Sequence, residues 1–197
     1  MAPQKWSSEN HTGPIPSFTT PFHLPIPPKT DIWALPPSHD VFTAPVLHTT
    51  LSHSSFSLLR ATITAPWKHQ YDQGGILISI VSASGPRRWV KCGVEMLDGT
   101  PRVGTVARDN WADWSLHPVV HSDGRTATVE FVNEVGKALW VYLIGEDRKR
   151  YPLREVAWWA GLKGETELQV GVYGAAPGEE GGLEVEFSGV QVNGEGK

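Results

Sequence analysis

Lys91 and Glu95 stand four residues apart in the stretch "RWVKCGVEMLDG" at 88–99. An ammonium can polarise a carbonyl or hold a hydroxyl, and a carboxylate can accept or move a proton. The pair could therefore serve an acid–base or hydroxyl-binding site, provided both groups aim to the same side. From Trp89 to Met96 the apolar positions alternate with polar or small ones, which is the period of a β-strand. Val90, Cys92, Val94 and Met96 then share one face, and Trp89, Lys91, Gly93 and Glu95 share the other. The two charges start about 13 Å apart along the strand, at ~3.3 Å per residue. Gly93 leaves bare backbone between them, a notch open to a ligand or a neighbour. The plainer alternative is a solvated strand face whose Lys–Glu pair contributes at most ~1 kcal/mol.

Neighbouring runs repeat the arrangement. In "YDQGGILISI" the isoleucines Ile76, Ile78 and Ile80 oppose Gln73, Gly75, Leu77 and Ser79. In "ALWVYLI" Leu139, Val141 and Leu143 oppose Trp140 and Tyr142, and in "ELQVGVYG" Leu168, Val170 and Val172 oppose Gln169, Gly171 and Tyr173. If these strands share a sheet, its outer face gathers Gln73, Trp89, Trp140, Tyr142 and Tyr173 around Lys91 and Glu95. Aromatic platforms with a few amides and one charge of each sign suit sugar faces and hydroxyls. Exposed aromatics can also simply cap a sheet edge.

The elements that must position these groups are strands. After residue 40, short β-like runs are expected at 42–49, 55–65, 75–82, 88–97, 101–108, 112–119, 126–132, 138–144, 153–159, 167–174 and 183–192, broken by turn chemistry. Asp98-Gly99 and Asp123-Gly124 are the strongest hairpin signals. No long 3.6-residue stripe occurs. Ten or eleven strands imply an all-β, two-sheet antiparallel jelly-roll sandwich. Residues 1–30 form a Pro-rich, partly flexible lead-in, mobile over 1–14, and 31–197 form the single sandwich domain. Proline keeps the lead-in from being a long helix or a central strand. It should run extended over the domain, anchored by Phe18, Phe22 and Trp33.

Composition narrows the function classes. The chain of 197 residues carries a net charge of −4, so nucleic acid and anionic membranes are not expected partners. No apolar run reaches the ~18 residues of a membrane span, and the start has no basic-then-apolar leader, so a cytoplasmic location is expected. Cys92 is the single cysteine and alternates into the core face, where it should be inert. The eight histidines, including His48 and His53, are scattered, most of them at the surface on this reading, and no metal or other cofactor is expected. "RDNWAD" at 108–113 is the sole, weak candidate for a calcium loop. Glu95 has no carboxylate at i+2 or i+5, which argues against a glycosidase pair built on one strand.

The run "YDQGGILI…RWVKCGVEMLDGTPRVGTVARDNWADWS" resembles the signature of the DUF1349 family, which includes YesU-like proteins. The matching positions are Tyr71, Asp72, Gln73 and Gly75; Trp89, Lys91, Gly93 and Glu95; Arg108; and Asp113, Trp114 and Ser115. "TDIWALPP" and "LQVGVYGAAPGEEGGLEVEFSGV" also fit. The resemblance implies a concanavalin A-like lectin/glucanase sandwich and adds Arg108, Asp113 and Trp114 to the expected ligand-binding set. The expectation is a binder of a carbohydrate or other hydroxylated small molecule, with Lys91 and Glu95 as the groups that would do chemistry. The rival is a small-molecule enzyme of isomerase or cyclase type using the same groove. A protein-interaction module is the third reading, and a homodimer is compatible with all of them.

Overall fold

Strand Arg88–Leu97 is buried over nearly its whole length, and this sets the architecture. One of its faces packs into the space between two sheets. The other is covered by a separate hairpin. The computed structural model describes residues 4–80, 85–134, 136–179 and 181–194. In chain order its strands are β1 Ser7–Glu9, β2 Phe22–Ile26, β3 Ile32–Leu35, β4 His39–Phe42, β5 Val46–Ser52, β6 Phe56–Thr64, β7 Gln73–Ile80, β8 Arg88–Leu97, β9 Thr100–Arg108, β10 Ala112–Pro118, β11 Ala127–Glu134, β12 Ala138–Ile144, β13 Arg150–Val156, β14 Glu167–Ala175 and β15 Leu183–Gly194.

One sheet has the order β1-β5-β14-β7-β8-β9-β10 and the other β13-β12-β11-β6-β15-β2, with antiparallel neighbours throughout. Between them lies a continuous core. Ile76, Ile78, Val90, Cys92, Val94, Leu168, Val170 and Val172 meet Leu59, Ile63, Val129, Phe131, Leu139, Val141 and Phe187. Apolar alternation over strands of this length buries one face of each sheet against the other, giving the expected two-sheet jelly roll.

Several strands match the sequence reading closely, and the departures have local causes. The run at 42–49 is broken by Pro45, so β4 ends at Phe42 and β5 begins at Val46. The run at 153–159 ends as a strand at Val156, and Ala157–Gly161 form a 3-10 turn whose Trp159 seals the core. Asp98 and Gly99 both adopt positive φ in the two-residue turn joining β8 to β9, as predicted. Asp123-Gly124 is not a hairpin turn, because β10 and β11 belong to different sheets. The ends of the expected strand 75–82 and the turn after it fall on 81–84, outside the described residues.

The Pro-rich lead-in contributes edge strands. Among the described residues β1 pairs only with β5, and β2, with Pro25 inside it, pairs only with β15. An edge position leaves one side of a strand without hydrogen-bonding demand, which is where proline is tolerated. β3 and β4 join neither sheet. They pair with each other and lie across the outer face of the seven-stranded sheet. There Ile32, Ala34 and Val46 pack on Leu77, Trp89, Val106 and Tyr173, forming a second, smaller core. Among the described residues no helix is long and apolar enough to cross a membrane.

Candidate functional site

The hairpin covers only part of that outer face, and beside it remains a pocket of about 270 Å3 lined by Asp31, Trp33, Tyr71, Gln73, Lys91, Glu95 and Trp114. Its floor is set by strand register. Gln73 of β7 pairs with Glu95 of β8, and Leu77 pairs with Lys91, so the three polar side chains rise from the same face, in two rows separated by the Gly75–Gly93 row. Trp114 comes from β10 in the row of Val106 and Lys91. Asp31 and Trp33 come from the start of the hairpin, and Tyr71 from the turn before β7.

Lys91 is 3% exposed, and its Nζ donates to Ile32 O at 2.7 Å and to Gln73 Oε1 at 2.6 Å. Tyr173 Oη donates to the same Gln73 oxygen at 3.3 Å, and Gln73 Nε2 reaches Tyr71 O and Asp31 Oδ1 at 3.3 and 3.4 Å. Gln73 is thereby held in one orientation, with its acceptor toward the ammonium and its donor toward the pocket mouth. The ammonium also lies 5.6 Å from the ring centres of Trp89 and Tyr173, at cation–π range. Burial pushes the Lys91 pKa down, opposed by the charges of Glu95 and Asp31. Burial pushes the Glu95 carboxyl up; Lys91 opposes this and the Asp31 charge adds to it. Tyr173 is pushed well up, first by burial, so it stays a neutral hydroxyl donor.

Glycines in this face have two different jobs. A Cβ on Gly75 or Gly93 would strike the backbone of the opposite strand, at Cys92 O and Gly74 O respectively. The notch at Gly93 is thus closed on its β7 side by the backbone of that strand. Gly104 is the real recess: a Cβ there would meet Glu95 Oε2 at 2.8 Å and Trp114 Nε1 at 3.5 Å. The missing side chain on β9 makes room for the Glu95 carboxylate.

The expected set divides. Lys91, Glu95, Gln73 and Trp114 line the pocket together. Tyr173 and Trp89 are buried beneath the hairpin and act on Lys91 from behind. Arg108 is taken out of the ligand set, because its guanidinium is spent on a bidentate pair with Asp40 of β4, at 2.8 and 2.6 Å, which pins the hairpin down. Asp113 is also removed. It is one residue from Trp114 and so faces the other way, 82% exposed beside Arg154. Trp140 and Tyr142 belong to the other sheet, where they stack at 5.9 Å on its outer face under Arg150. Asp72 shapes the turn, accepting from the backbone N–H groups of Lys68 and His69.

Asp31, Trp33, Tyr71 and Gly104 were absent from the expected set. Asp31 and Trp33 lie in "TDIWALPP" and Tyr71 in "YDQGG", stretches whose family likeness was legible although their convergence was not. Contrary to the surface expectation for histidine, His48 and His53 are buried, and burial pushes both pKa values down. Cys92 lies in the core as expected, its thiol pushed up to about 12 by burial and in contact with Thr105 Oγ1 at 3.3 Å.

The family described as "Protein of unknown function (DUF1349)" matches residues 3–195. An uncharacterized protein of Emericella nidulans is 44% identical over 168 residues, covering 85% of this chain and 83% of that protein. The structure of a functionally unknown protein from Saccharomyces cerevisiae superimposes with a TM-score of 0.78 at 21% identity, over 98% of this chain and 97% of that one. A pseudo β-1,3-glucanase of Mycobacterium tuberculosis shares the sandwich at 13% identity with a TM-score of 0.56, over 99% and 93% of the two chains.

Proposed function

The chain belongs to the DUF1349 family and has its concanavalin A-like sandwich, and on that premise we propose that it binds a carbohydrate or other hydroxylated small molecule in the pocket beside the β3–β4 hairpin. One observation carries this reading: Lys91, Gln73 and Glu95 converge on a cavity walled by Trp33, Trp114 and Tyr71. Apolar walls with a few fixed polar groups are the ordinary make-up of a small-molecule site, and aromatic walls suit the C–H faces of a sugar ring. The volume of about 270 Å3 lies just below the ~300–1,000 Å3 typical of ligand pockets, which favours one ring over a chain. The test is a thermal-shift screen of monosaccharides and polyols. A ligand at a hundredfold its dissociation constant adds about 2.7 kcal/mol of stability, and Trp33→Ala should abolish the shift. Shifts with none of them, beside a clear shift with a hydrocarbon-rich compound, would sink the ligand class.

A second reading, an isomerase or cyclase, is favoured by the opposite displacement of Glu95 and Lys91 toward neutrality. Groups poised in that way suit proton transfer. Lys91→Ala and Glu95→Gln separate the two readings: loss of affinity alone supports a binding protein, and retained binding without turnover supports an enzyme.

A further inference from the structure

The charge balance of this pocket narrows the class of its occupant, given the ligand-binding reading of the site on which it rests. One cation and two carboxylates line the cavity: Lys91, Asp31 and Glu95. Lys91 is satisfied by Ile32 O and Gln73 Oε1, and Asp31 Oδ1 accepts the Ile32 N–H at 2.7 Å. Glu95 differs from both. It is 9% exposed and lines the cavity, and among the described residues the donor beside its carboxylate is the neutral Trp114 Nε1–H, which favours the charged form. A buried carboxylate with only a neutral donor beside it is costly. Counted as full charges, the three groups leave one negative charge unbalanced at the pocket. Burial and the Asp31 charge push the Glu95 carboxyl toward its neutral form, against Lys91 and the Trp114 N–H, and a proton held there relieves that excess.

Around the carboxylate stands an aromatic corner. Trp33 and Trp114 have ring centres 6.1 Å apart and planes at 83°, and Tyr71 adds a third ring at the mouth. The π face of an indole attracts a cation held within ~6 Å of it.

We propose that the ligand carries a positive charge as well as hydroxyls: a hydroxylated amine of amino-sugar type, whose ammonium donates to the Glu95 carboxylate against the rings of Trp33 and Trp114 while its hydroxyls meet Lys91 and Gln73. The ligand's charge offsets that of the Glu95 carboxylate and supplies it with a charged donor. Lys91 does not forbid this, because its own charge is faced by Asp31 as well as by Glu95, and by the rings of Trp89 and Tyr173. An anionic ligand would instead add a second unbalanced negative charge. A neutral sugar would give Glu95 a donor and leave the charge excess in place.

Titration calorimetry of the full chain with glucosamine, glucose and N-acetylglucosamine at about pH 4.5, the ordinary value for this carboxyl, tests this, since the three share one ring and differ in charge. Glucosamine should bind about tenfold tighter than the other two. Its binding should also expel a proton, read as a dependence of the observed heat on the ionisation enthalpy of the buffer. Glu95→Gln should bring the glucosamine-to-glucose ratio to about one; the proton release of the unaltered chain tests the same point should that variant fold poorly. Equal binding of glucosamine and glucose overturns the charge inference and leaves the ligand reading standing. Tight glucosamine binding without proton release, its preference intact in the variant, overturns the role of Glu95. Binding of neither sugar overturns both readings.

Discussion

Lys91 Nζ donates to the carbonyl of Ile32 at 2.7 Å, joining the middle of β8 to a hairpin 59 residues earlier in the chain. That bond makes the lysine a structural tie and a wall of the pocket at once. It also accounts for the burial of a face that alternation alone would leave to solvent.

Lys91→Ala should destabilise the protein by about 3 kcal/mol, because Ile32 O loses its donor, Gln73 Oε1 keeps only that of Tyr173, and Asp31 and Glu95 lose their counter-charge. Removing a buried ammonium also removes its desolvation cost, but the orphaned Ile32 carbonyl and the uncompensated carboxylates outweigh that gain. Denaturant unfolding with an unchanged m-value measures it. A variant as stable as the parent would show that the tie contributes nothing.

Gly104→Ala and Gly93→Ala should behave differently. At Gly104 the added methyl meets the end of the Glu95 side chain, which can swing aside, so the fold survives while ligand affinity falls. At Gly93 it meets the backbone of β7, and the β7–β8 pairing must open. We expect a loss of about 3 kcal/mol or more at Gly93 and under about 1 kcal/mol at Gly104. Similar melting temperatures for the two variants would refute the distinction.

Glu95 should make the free protein less stable as pH rises. Its folded-state pKa lies above the ordinary value of 4.5, so the folded state keeps a proton that the unfolded chain has released. Stability then declines as pH climbs from the ordinary carboxylate range through the raised value, and is independent of this group below it. Glu95→Gln should remove that slope. Subtracting its stability profile from that of the parent isolates the effect, and a difference that is flat with pH counts against it.

Cys92 should resist thiol reagents in the folded protein and react on unfolding. Its thiol is buried in the core and pushed up to about 12, so almost no thiolate exists near neutral pH. Labelling followed against denaturant should track global unfolding, and fast labelling under native conditions would contradict the packing described.

Much of the architecture was legible because a strand's period writes its two faces directly into the chain. The boundaries of β8 and β12, the inward valines and isoleucines, the turn at Asp98-Gly99 and the burial of Cys92 all follow from that period and from turn chemistry. So does the shared face of Lys91 and Glu95. Alternation says which residues face together on one strand, but it does not say which strands lie side by side. Trp140 and Tyr142 have the same outward pattern as Tyr173, yet β12 entered the six-stranded sheet and β14 the seven-stranded one.

Nor does periodicity reveal what covers an outer face. The β3–β4 hairpin lies in a Pro-rich stretch with no strong strand signal, and its place is set by contacts with distant residues: Arg108 with Asp40, Lys91 with Ile32, and Trp89 beneath Ile32 and Ala34. Those contacts turn a strand face into a walled pocket, spend Arg108 on structure, and bring Asp31 and Trp33 to Glu95. The sandwich and the common face of its two central charges rest on local period, so the chain alone suffices to read them. Which residues surround those charges depends on long-range packing, which leaves no local signature and is settled only when the hairpin closes over the sheet.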